Sequence, residues 1–298
     1  MTRPKQVHYR LFATAANLLC AHRMPIVHNA SSPAVRPPLR VSAIVPARNE
    51  AACIAAVVRG LLALRSVHGV ALLAEVVVAD NGSSDGTAQI ALDAGARVID
   101  VPQPGYGQAC WEAARCCVGE VLLFVDGDGA ADPQDAAALL DAIAAGADLV
   151  VGIRHHPDRG AMSPPQRVGN ALACGLMRCL WRMPVADLGP YRAIRREAFD
   201  ALDMRDRSFG WTVEMQVRAH ALGLRVSQLP VHWHARSGGQ SKISGTLRGV
   251  VGAGIGILAM IARLWWRERR RPPVPLAMTG SARTPSAAPA RPRFLPPH

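Results

Sequence analysis

The sequence lacks the patterns that define several large classes of protein. Its 298 residues include seven cysteines, an odd number, with no Cys-x-x-Cys spacing. This argues against a disulfide framework or a zinc site and favours a reducing cytosol. No glycine-rich turn follows the first predicted strand and no phosphate-binding P-loop occurs, which argues against hydride transfer with a dinucleotide. The uncharged apolar run at residues 249–262 falls well short of the roughly 20 residues that a membrane-spanning helix requires.

Acidic residues are also few. There are 22 Asp and Glu against 34 Lys and Arg, and the net charge is +12. Such an excess predicts anionic partners, which include nucleic acid, anionic lipid and phosphorylated substrates. The arginines are concentrated after Arg263, beside Trp265 and Trp266 and in the proline-rich tail, without a motif that reads nucleic acid. We therefore expect no nucleic-acid partner.

Apolar runs typical of strands alternate with helical patterns from residue 40 onward, and half of all residues are hydrophobic. Predicted strands cover residues 41–46, 75–80, 96–101, 121–125 and 148–152. The first predicted helix runs from Asn49 to about Leu64, and the next two end near Ala94 and Gly119. Further helices are predicted over residues 134–145 and 167–181, and another begins at Trp211. Strands and helices that alternate with short links form crossover units, so we predict an α/β fold with a mostly parallel central sheet and flanking helices.

The most informative stretch is Asp126-Gly127-Asp128, which follows the predicted buried strand at residues 121–125. Open α/β sheets bind ligands at the carboxyl ends of their strands. On extended backbone the two aspartates point to the same side, and the glycine allows a sharp turn between them. Two such carboxylates suit a Mg²⁺ or Mn²⁺ that also holds a phosphate. The alternative is that they merely precede a helix, since the Asp-Pro pair at 132–133 is typical of a helix start.

Three motifs in this order resemble family-2 glycosyltransferases with the GT-A fold. They are Ile44-Val45-Pro46-Ala47-Arg48-Asn49-Glu50, Asp80-Asn81-Gly82-Ser83-Ser84-Asp85-Gly86-Thr87 and Asp126-Gly127-Asp128. The resemblance covers about residues 40–245. Within the family, Arg236-Ser237-Gly238-Gly239-Gln240-Ser241-Lys242 and the apolar segment after it look most similar to polyprenyl-phosphate glycosyltransferases of the dolichol-phosphate mannosyltransferase type.

The resemblance implies roles for the donor side. The pocket for a UDP- or GDP-linked sugar would be lined by Pro46, Ala47, Arg48 and Glu50. Asp80 would contact the base, and Asp85 would organise the loop beneath it. Asn81 stands where many members carry a second aspartate, and an asparagine can still hydrogen-bond a base or ribose.

The resemblance also implies that Asp126 and Asp128 face the metal and the diphosphate, with Asp128 the more direct ligand of Mg²⁺ or Mn²⁺. Gly127 replaces a commoner middle residue and should leave both carboxylates in place. Close relatives offer a further ligand where this chain has Ala130. Metal dependence is therefore expected to be weaker, or Asp132 to substitute.

On the acceptor side, Arg154 follows a predicted strand end and is expected to reach a phosphate bidentately. Asp187 matches an acceptor-side aspartate of the family, the alternative being the cap of a turn. Glu214 falls where the family carries an acidic residue near the acceptor, the alternative being a partner of the helix dipole. Two pairs of histidines, His155 with His156 and His232 with His234, are predicted not to be metal ligands.

Arg236, Ser241 and Lys242 on the glycine-containing loop are expected to hold an acceptor phosphate, the alternative being a solvated surface loop. Glycines permit such a loop to close over bound diphosphate. A lipid phosphate is already an anion, so its transfer needs no strong general base.

These observations predict four segments. Residues 1–39 are expected to be disordered, 40–245 to form the GT-A domain, 246–270 to form an amphipathic helix and 271–298 to be a disordered basic tail. The tryptophans and arginines of the helix favour the anionic inner face of the cell membrane, the alternative being a core helix or dimer contact. We predict an inverting enzyme that transfers a sugar to a polyprenyl phosphate there. The alternatives are a saccharide, lipid or protein hydroxyl acceptor, or a non-catalytic nucleotide-sugar-binding scaffold.

Overall fold

The computed structural model describes residues 39–66, 68–154, 157–158, 161–235 and 247–269. Several predictions fall outside these ranges. They concern the segments 1–38 and 270–298, the histidine pair at 155–156, and the loop residues Arg236, Ser241 and Lys242.

A seven-stranded sheet forms the centre of the described structure. Its strands are β1 (Val41–Ala47), β2 (Glu75–Asp80), β3 (Arg97–Asp100), β4 (Val121–Phe124), β5 (Leu149–Arg154), β6 (Arg192–Arg195) and β7 (Val226–Val231). Their spatial order is β3-β2-β1-β4-β6-β5-β7. Only β6 runs antiparallel to its described neighbours, β4 and β5, while the other pairs are parallel. The prediction of a mostly parallel α/β sheet is confirmed.

Eight α-helices accompany the sheet in the residues described. They are α1 (Ile54–Leu62), α2 (Thr87–Asp93), α3 (Tyr106–Cys116), α4 (Ala136–Ala144), α5 (Pro164–Trp181), α6 (Arg196–Leu202), α7 (Trp211–Ala221) and α8 (Leu247–Arg269). A short 3₁₀ turn, Pro133–Asp135, precedes α4, and Asp132 caps it by accepting a hydrogen bond from the Gln134 amide at 2.9 Å.

The first helix begins later than the sequence predicted. The amides of Asn49, Glu50 and Ala51 donate to Ser83 Oγ, Thr87 Oγ1 and Asp85 Oδ2 in the loop after β2. Asn49 adopts a left-handed conformation with φ of 51°. Cross-loop hydrogen bonds therefore hold this segment as a shaped loop, and α1 starts at Ile54.

The sheet is buried on both faces. All seven residues of β1 are buried, as expected for a central parallel strand. Ala43 and Val45 pack with α1 and α4, whereas Ile44 packs on the opposite face with α3, α6 and α7. The alternation of the strand thus divides the core into two layers around the sheet.

A third apolar cluster joins α5, α7 and α8. From α8 it takes Met260, Ile261 and Leu264, which are buried. Ile255 and Leu258 of the same helix remain 62% and 37% exposed. No helix in the described part of the chain is long and apolar enough to cross a membrane.

Candidate active site

The carboxyl ends of β1, β2 and β4 lie together at one edge of the sheet, because Ala47 pairs with Asp80 and Ile44 pairs with Phe124. A cavity of about 480 Å³, here called the first cavity, opens at this edge. Most of the predicted donor residues line it, namely Pro46, Ala47, Arg48, Glu50, Asn81, Asp126, Gly127 and Asp128. The topology therefore brings together Pro46 and Asp128, which are 82 positions apart in the chain.

Asp85 ties the loop after β2 to the loop after β1. Its carboxylate accepts hydrogen bonds from the Thr87 amide, the Thr87 hydroxyl and the Ala51 amide, at 3.1, 2.5 and 3.1 Å. Burial raises the pKa of Asp85, but these hydrogen bonds outweigh it and leave the pKa below its usual value. An ionised Asp85 thus holds two walls of the first cavity together.

Asn81 lines the first cavity and also shapes one of the loops around it. Its Nδ2 donates to the carbonyls of Val101 and Gln103 at 2.8 and 2.7 Å, and its Oδ1 accepts from the Gly105 amide at 2.9 Å. Both amide hydrogens are used, so Asn81 shapes the loop between β3 and α3. An aspartate has no N–H to donate to these two carbonyls, which explains why an asparagine suits this position.

Asp80 is buried beside the first cavity without being part of its lining. Its Oδ2 accepts a hydrogen bond from the Ser83 amide at 3.3 Å. Its Oδ1 is buried and has no hydrogen-bond partner among the described residues. An unpartnered buried carboxylate oxygen is costly unless a ligand supplies a donor.

Tyr106 is a site residue that the sequence interpretation missed. Its hydroxyl donates to Asp126 Oδ1 at 3.0 Å, from the first turn of α3. Burial, and then the negative charge of Asp126, raise the pKa of Tyr106 well above its usual value, so the phenol stays protonated. The Gly-Tyr-Gly sequence at the start of a helix, beside the strand-end motifs, was the available signal.

Asp128 lies on the turn after β4, and its Oδ1 accepts a hydrogen bond from the Ala130 amide at 3.0 Å. Gly127 allows this turn to approach β1, since a Cβ there would lie 3.3 Å from the Pro46 carbonyl oxygen. Within the described ranges, no group of three His, Cys, Asp or Glu side chains is arranged to hold a metal. Two carboxylates still fit Mg²⁺, which usually binds one or two of them together with waters and substrate phosphates.

The other candidate ligands near this turn are engaged elsewhere. Asp132 caps the 3₁₀ turn. His232 Nδ1 lies 3.0 Å from Asp135 Oδ1, and His234 Nδ1 lies 3.0 Å from Asp158 Oδ2. The substitution of Asp132 for a missing metal ligand therefore gains no support from the geometry.

A second cavity of about 230 Å³ adjoins the first. Tyr106, Asp126 and Phe209 line both. The remaining wall is mainly apolar or neutral. It comes from α5, α7, α8 and the loops before and after α5, through residues such as Met162, Gln166, Leu188, Thr212, Gly254 and Ile257.

Arg154 lines the second cavity, but its guanidinium is not directed at an open phosphate site as predicted. Its Nε and Nη2 donate to Asp187 at 2.8 and 2.6 Å, a bidentate pair, and Nη2 also lies 3.3 Å from Asn170 Oδ1. Asp187 is 3% exposed and lines neither cavity. Burial raises the pKa of Asp187, but hydrogen bonds and charge from Arg154 bring it below the usual value. Asp187 therefore neutralises Arg154 rather than facing an acceptor.

Glu214 also lies away from the cavities. It is 1% exposed, and its carboxylate accepts from the amides of Arg205 and Asp206 at 2.9 and 2.6 Å and pairs with Arg218 at 2.8 Å. Its predicted place beside an acceptor gains no support from this geometry. Glu214 instead holds the segment 205–210, which carries Phe209 to both cavities.

Arg192 is a second residue that the sequence interpretation missed. It is 1% exposed and donates to the carbonyls of Gly189, Leu188 and Thr212 at 2.6, 2.8 and 2.9 Å. Burial lowers its pKa to about 10, so it remains charged at neutral pH. Since Leu188 and Thr212 line the second cavity, Arg192 both braces that wall and places a positive charge behind it.

Comparison with known proteins agrees with this geometry. A model of "Glycosyl transferase family 2" matches residues 42–203, more than half of the chain. An uncharacterised glycosyltransferase of Mycobacterium tuberculosis is 40% identical over 176 residues, 59% of this chain and 80% of that protein. A polyprenol monophosphomannose synthase of Mycolicibacterium smegmatis is 30% identical over 230 residues, 71% of this chain and 84% of that protein.

Solved structures show the same fold. The glucosyl-3-phosphoglycerate synthase of Mycobacterium tuberculosis, crystallised with Mn²⁺, UDP and glucosyl-3-phosphoglycerate, superposes with a TM-score of 0.62 at 23% identity, covering 76% of this chain and 79% of that one. The resemblance predicted from the strand-end motifs is therefore confirmed: the chain belongs to glycosyltransferase family 2 and is a nucleotide-sugar-dependent enzyme with the GT-A fold.

Proposed function

We propose that this enzyme transfers a sugar, with inversion, from a UDP- or GDP-linked donor in the first cavity to a polyprenyl phosphate in the second, at the inner face of the cell membrane. The observation that carries the proposal is the meeting of two cavities of different chemistry at Asp126. A direct displacement requires donor and acceptor on opposite sides of one carbon atom, which two adjoining cavities provide.

The first cavity suits a nucleotide-sugar. The unpartnered Oδ1 of Asp80 would accept the N–H of a nucleobase, and this supports the role of Asp80 taken from the family resemblance. Asp126 and Asp128 would hold a divalent cation together with the diphosphate. A bound Mg²⁺ or Mn²⁺ would neutralise charge that develops on the leaving nucleoside diphosphate. Tyr106 keeps Asp126 oriented, and the Ala130 amide does the same for Asp128.

The second cavity suits an acceptor that arrives already ionised. Among the described residues that line it, Asp126 is the only acidic side chain, and Tyr106 already donates to it. A hydroxyl acceptor requires a general base, whereas a phosphate oxygen does not. The positive charge of Arg192 behind the wall favours an anion. The polyprenol monophosphomannose synthase, similar over most of its length, supports a lipid phosphate. Arg236, Ser241 and Lys242 remain predicted contacts of that phosphate.

The test is nucleotide release by the purified protein with Mg²⁺ or Mn²⁺. A panel of UDP- and GDP-sugars is assayed with and without undecaprenyl phosphate in detergent. We expect one donor to release its nucleotide only when the lipid phosphate is present, and we expect a chelator to stop the reaction. Release that depends on a hydroxyl acceptor alone, or on a soluble phosphorylated acceptor alone, would discard the lipid acceptor. Donor binding by calorimetry without nucleotide release under any of these conditions would favour the non-catalytic scaffold.

Asp128→Ala is expected to reduce this transfer by a factor of about 100 or more, because a first ligand of the cation is lost. Asp141→Ala is the matched control, since Asp141 is an exposed aspartate of α4 that lines neither cavity. Equal rates for Asp128→Ala and Asp141→Ala would contradict the assignment of the metal site.

A further inference from the structure

Phe209 is a large apolar side chain at the junction of the two cavities, and it lines both. Phe209 is 39% exposed. Trp211, only two residues later, is 1% exposed and belongs to a buried aromatic cluster with Phe124 and Phe199. An aromatic ring that stays at a cavity mouth instead of joining such a core is available to a ligand.

The backbone on the amino-terminal side of Phe209 is held firmly. The carbonyls of Arg207 and Ser208 accept hydrogen bonds from the amides of Gln108 and Gly107, at 3.0 and 3.3 Å, in the first turn of α3. The Ser208 amide donates to Asp206 Oδ1 at 2.8 Å. The segment 205–210 is therefore docked on the helix start that also presents Tyr106 to Asp126.

The carboxyl-terminal side of Phe209 is held by α8. A Cβ on Gly210 would lie 2.8 Å from Met260 Cγ, so the helix packs directly against this glycine. A Cβ on Gly256 would lie 3.9 Å from Phe209 Cδ2, so α8 passes close to the ring at a position that carries no side chain. With both flanks anchored, the backbone presents the Phe209 side chain at the junction of the two cavities.

We propose that Phe209 determines which nucleophile receives the sugar: its ring closes the passage between the cavities and excludes water from the anomeric carbon until an acceptor oxygen is in place. This inference rests on the proposed function in one respect, that the donor sugar lies in the first cavity beside Asp126. The face of an aromatic ring carries partial negative charge and suits the C–H groups of a sugar, and exclusion of water protects a reactive centre from hydrolysis.

The two competing reactions differ in their products. In transfer, a phosphate oxygen of the acceptor forms a bond to the anomeric carbon, the bond from that carbon to the β-phosphate oxygen breaks, and nucleoside diphosphate leaves without release of a proton. In hydrolysis, a water oxygen forms the new bond, and the products are free sugar, nucleoside diphosphate and one proton. The ratio of free sugar to glycosylated lipid therefore reports how well water is excluded.

The test compares wild type, Phe209→Ala, Phe209→Trp and the control Leu222→Ala. Leu222 is 52% exposed at the end of α7 and lines neither cavity. Each protein is incubated with Mn²⁺ and each donor sugar of the panel, first without acceptor at high protein concentration and then with undecaprenyl phosphate. Free sugar, glycosylated lipid and nucleotide are quantified, and thermal unfolding is followed for every variant.

Without acceptor, Phe209→Ala is expected to release free sugar about tenfold faster than wild type, whereas Phe209→Trp and Leu222→Ala stay close to wild type. The proposal is overturned if Phe209→Ala hydrolyses the donor no faster than wild type. It is also overturned if neither protein hydrolyses the donor. A Phe209→Trp protein that folds normally and hydrolyses as fast as Phe209→Ala overturns it as well.

The same assay separates this inference from the proposed function. If undecaprenyl phosphate has no effect but Phe209→Ala accelerates hydrolysis, the lipid acceptor is wrong and the role of Phe209 stands. If the lipid phosphate stimulates wild type and the substitution leaves hydrolysis unchanged, only the inference about Phe209 falls.

Discussion

The neutral Tyr106 side chain helps to orient the Asp126 carboxylate by donating a hydrogen bond to it. The bond is 3.0 Å long and lies where the two cavities meet. A hydrogen bond to a charged group contributes about 1.5–3 kcal/mol. Its loss removes one of the contacts that hold the Asp126 carboxylate in the geometry that a cation and diphosphate require.

Tyr106→Phe is therefore expected to weaken Mn²⁺ binding in the presence of nucleoside diphosphate by about tenfold, while the ring keeps its packing. Calorimetric titration of Mn²⁺ into the protein with UDP or GDP measures this directly. Tyr191→Phe is the control, because the buried Tyr191 hydroxyl donates at 3.2 Å to the Pro133 carbonyl and lines neither cavity. Equal loss of affinity in both variants would show that a buried hydroxyl in general, not this contact, is responsible.

At the scale of elements, the site depends on loops whose shapes are held by buried polar side chains. Asn81 fixes the loop that leads to Tyr106, and Glu214 fixes the segment that carries Phe209. Both side chains were predicted to lie near substrate, and in the structure both satisfy backbone groups. Backbone amides and carbonyls in such loops have no ladder partners, so a nearby polar side chain is the usual way to satisfy them.

Asp148, just before β5, forms another polar pair with Arg225, just before β7. Asp148 accepts hydrogen bonds from the Arg225 amide, Nε and Nη2 at 2.9, 3.1 and 2.8 Å. The hydrogen bond from the Arg225 side chain lowers the pKa of Asp148, and partial burial opposes it less strongly. Because the pKa is lower in the folded protein, the pair stabilises the fold above the usual pKa of aspartate, and this contribution disappears as pH falls through the folded value.

We expect Asp148→Asn to lower the free energy of unfolding at pH 7 by about 0.5 kcal/mol, since Arg225 is largely exposed and the pair is screened. At pH 3 the difference from wild type should be smaller. Urea unfolding at both pH values measures the effect, with Asp141→Asn as the control. A difference between Asp148→Asn and wild type that grows toward low pH would contradict the assigned sign.

At the scale of the whole molecule, α8 combines a buried face with an exposed apolar one. Met260, Ile261 and Leu264 belong to the third core cluster, whereas Ile255 and Leu258 face outward in the same helix as the exposed Arg263 and Arg267. Apolar side chains beside arginines favour the surface of an anionic bilayer. The buried face of α8 fits the core-helix alternative, and contact of the exposed face with a membrane stays a prediction.

The double substitution Ile255→Ser and Leu258→Ser is expected to reduce binding to vesicles of phosphatidylglycerol and phosphatidylcholine by about tenfold, through lost apolar burial. Co-sedimentation measures the bound fraction, and binding of wild type should weaken as salt rises. Leu222→Ser is the control for an exposed leucine elsewhere. Binding that is unaffected by the double substitution would contradict a membrane contact through this face.

Local sequence pattern was enough to predict the α/β architecture, the central strands and the position of the donor motifs. These features depend on local pattern: an uninterrupted apolar run favours a buried parallel strand, and the residues that follow such strands must meet at one edge of the sheet. For this reason Pro46, Asp126 and Asp128 were correctly expected to lie together, and the family could be identified from them.

The partners of the polar side chains, and the choice of those that face the cavities, could not be predicted before the fold was known. Arg154 and Asp187 are 33 positions apart, and Tyr106 and Asp126 are 20 apart, so neither pair follows from local pattern. The insertion of the short strand β6 between β4 and β5, antiparallel to both, brings Arg192 behind the second cavity. The physical reason is desolvation: a buried charge or amide must find a partner, and the fold determines which partner is within reach.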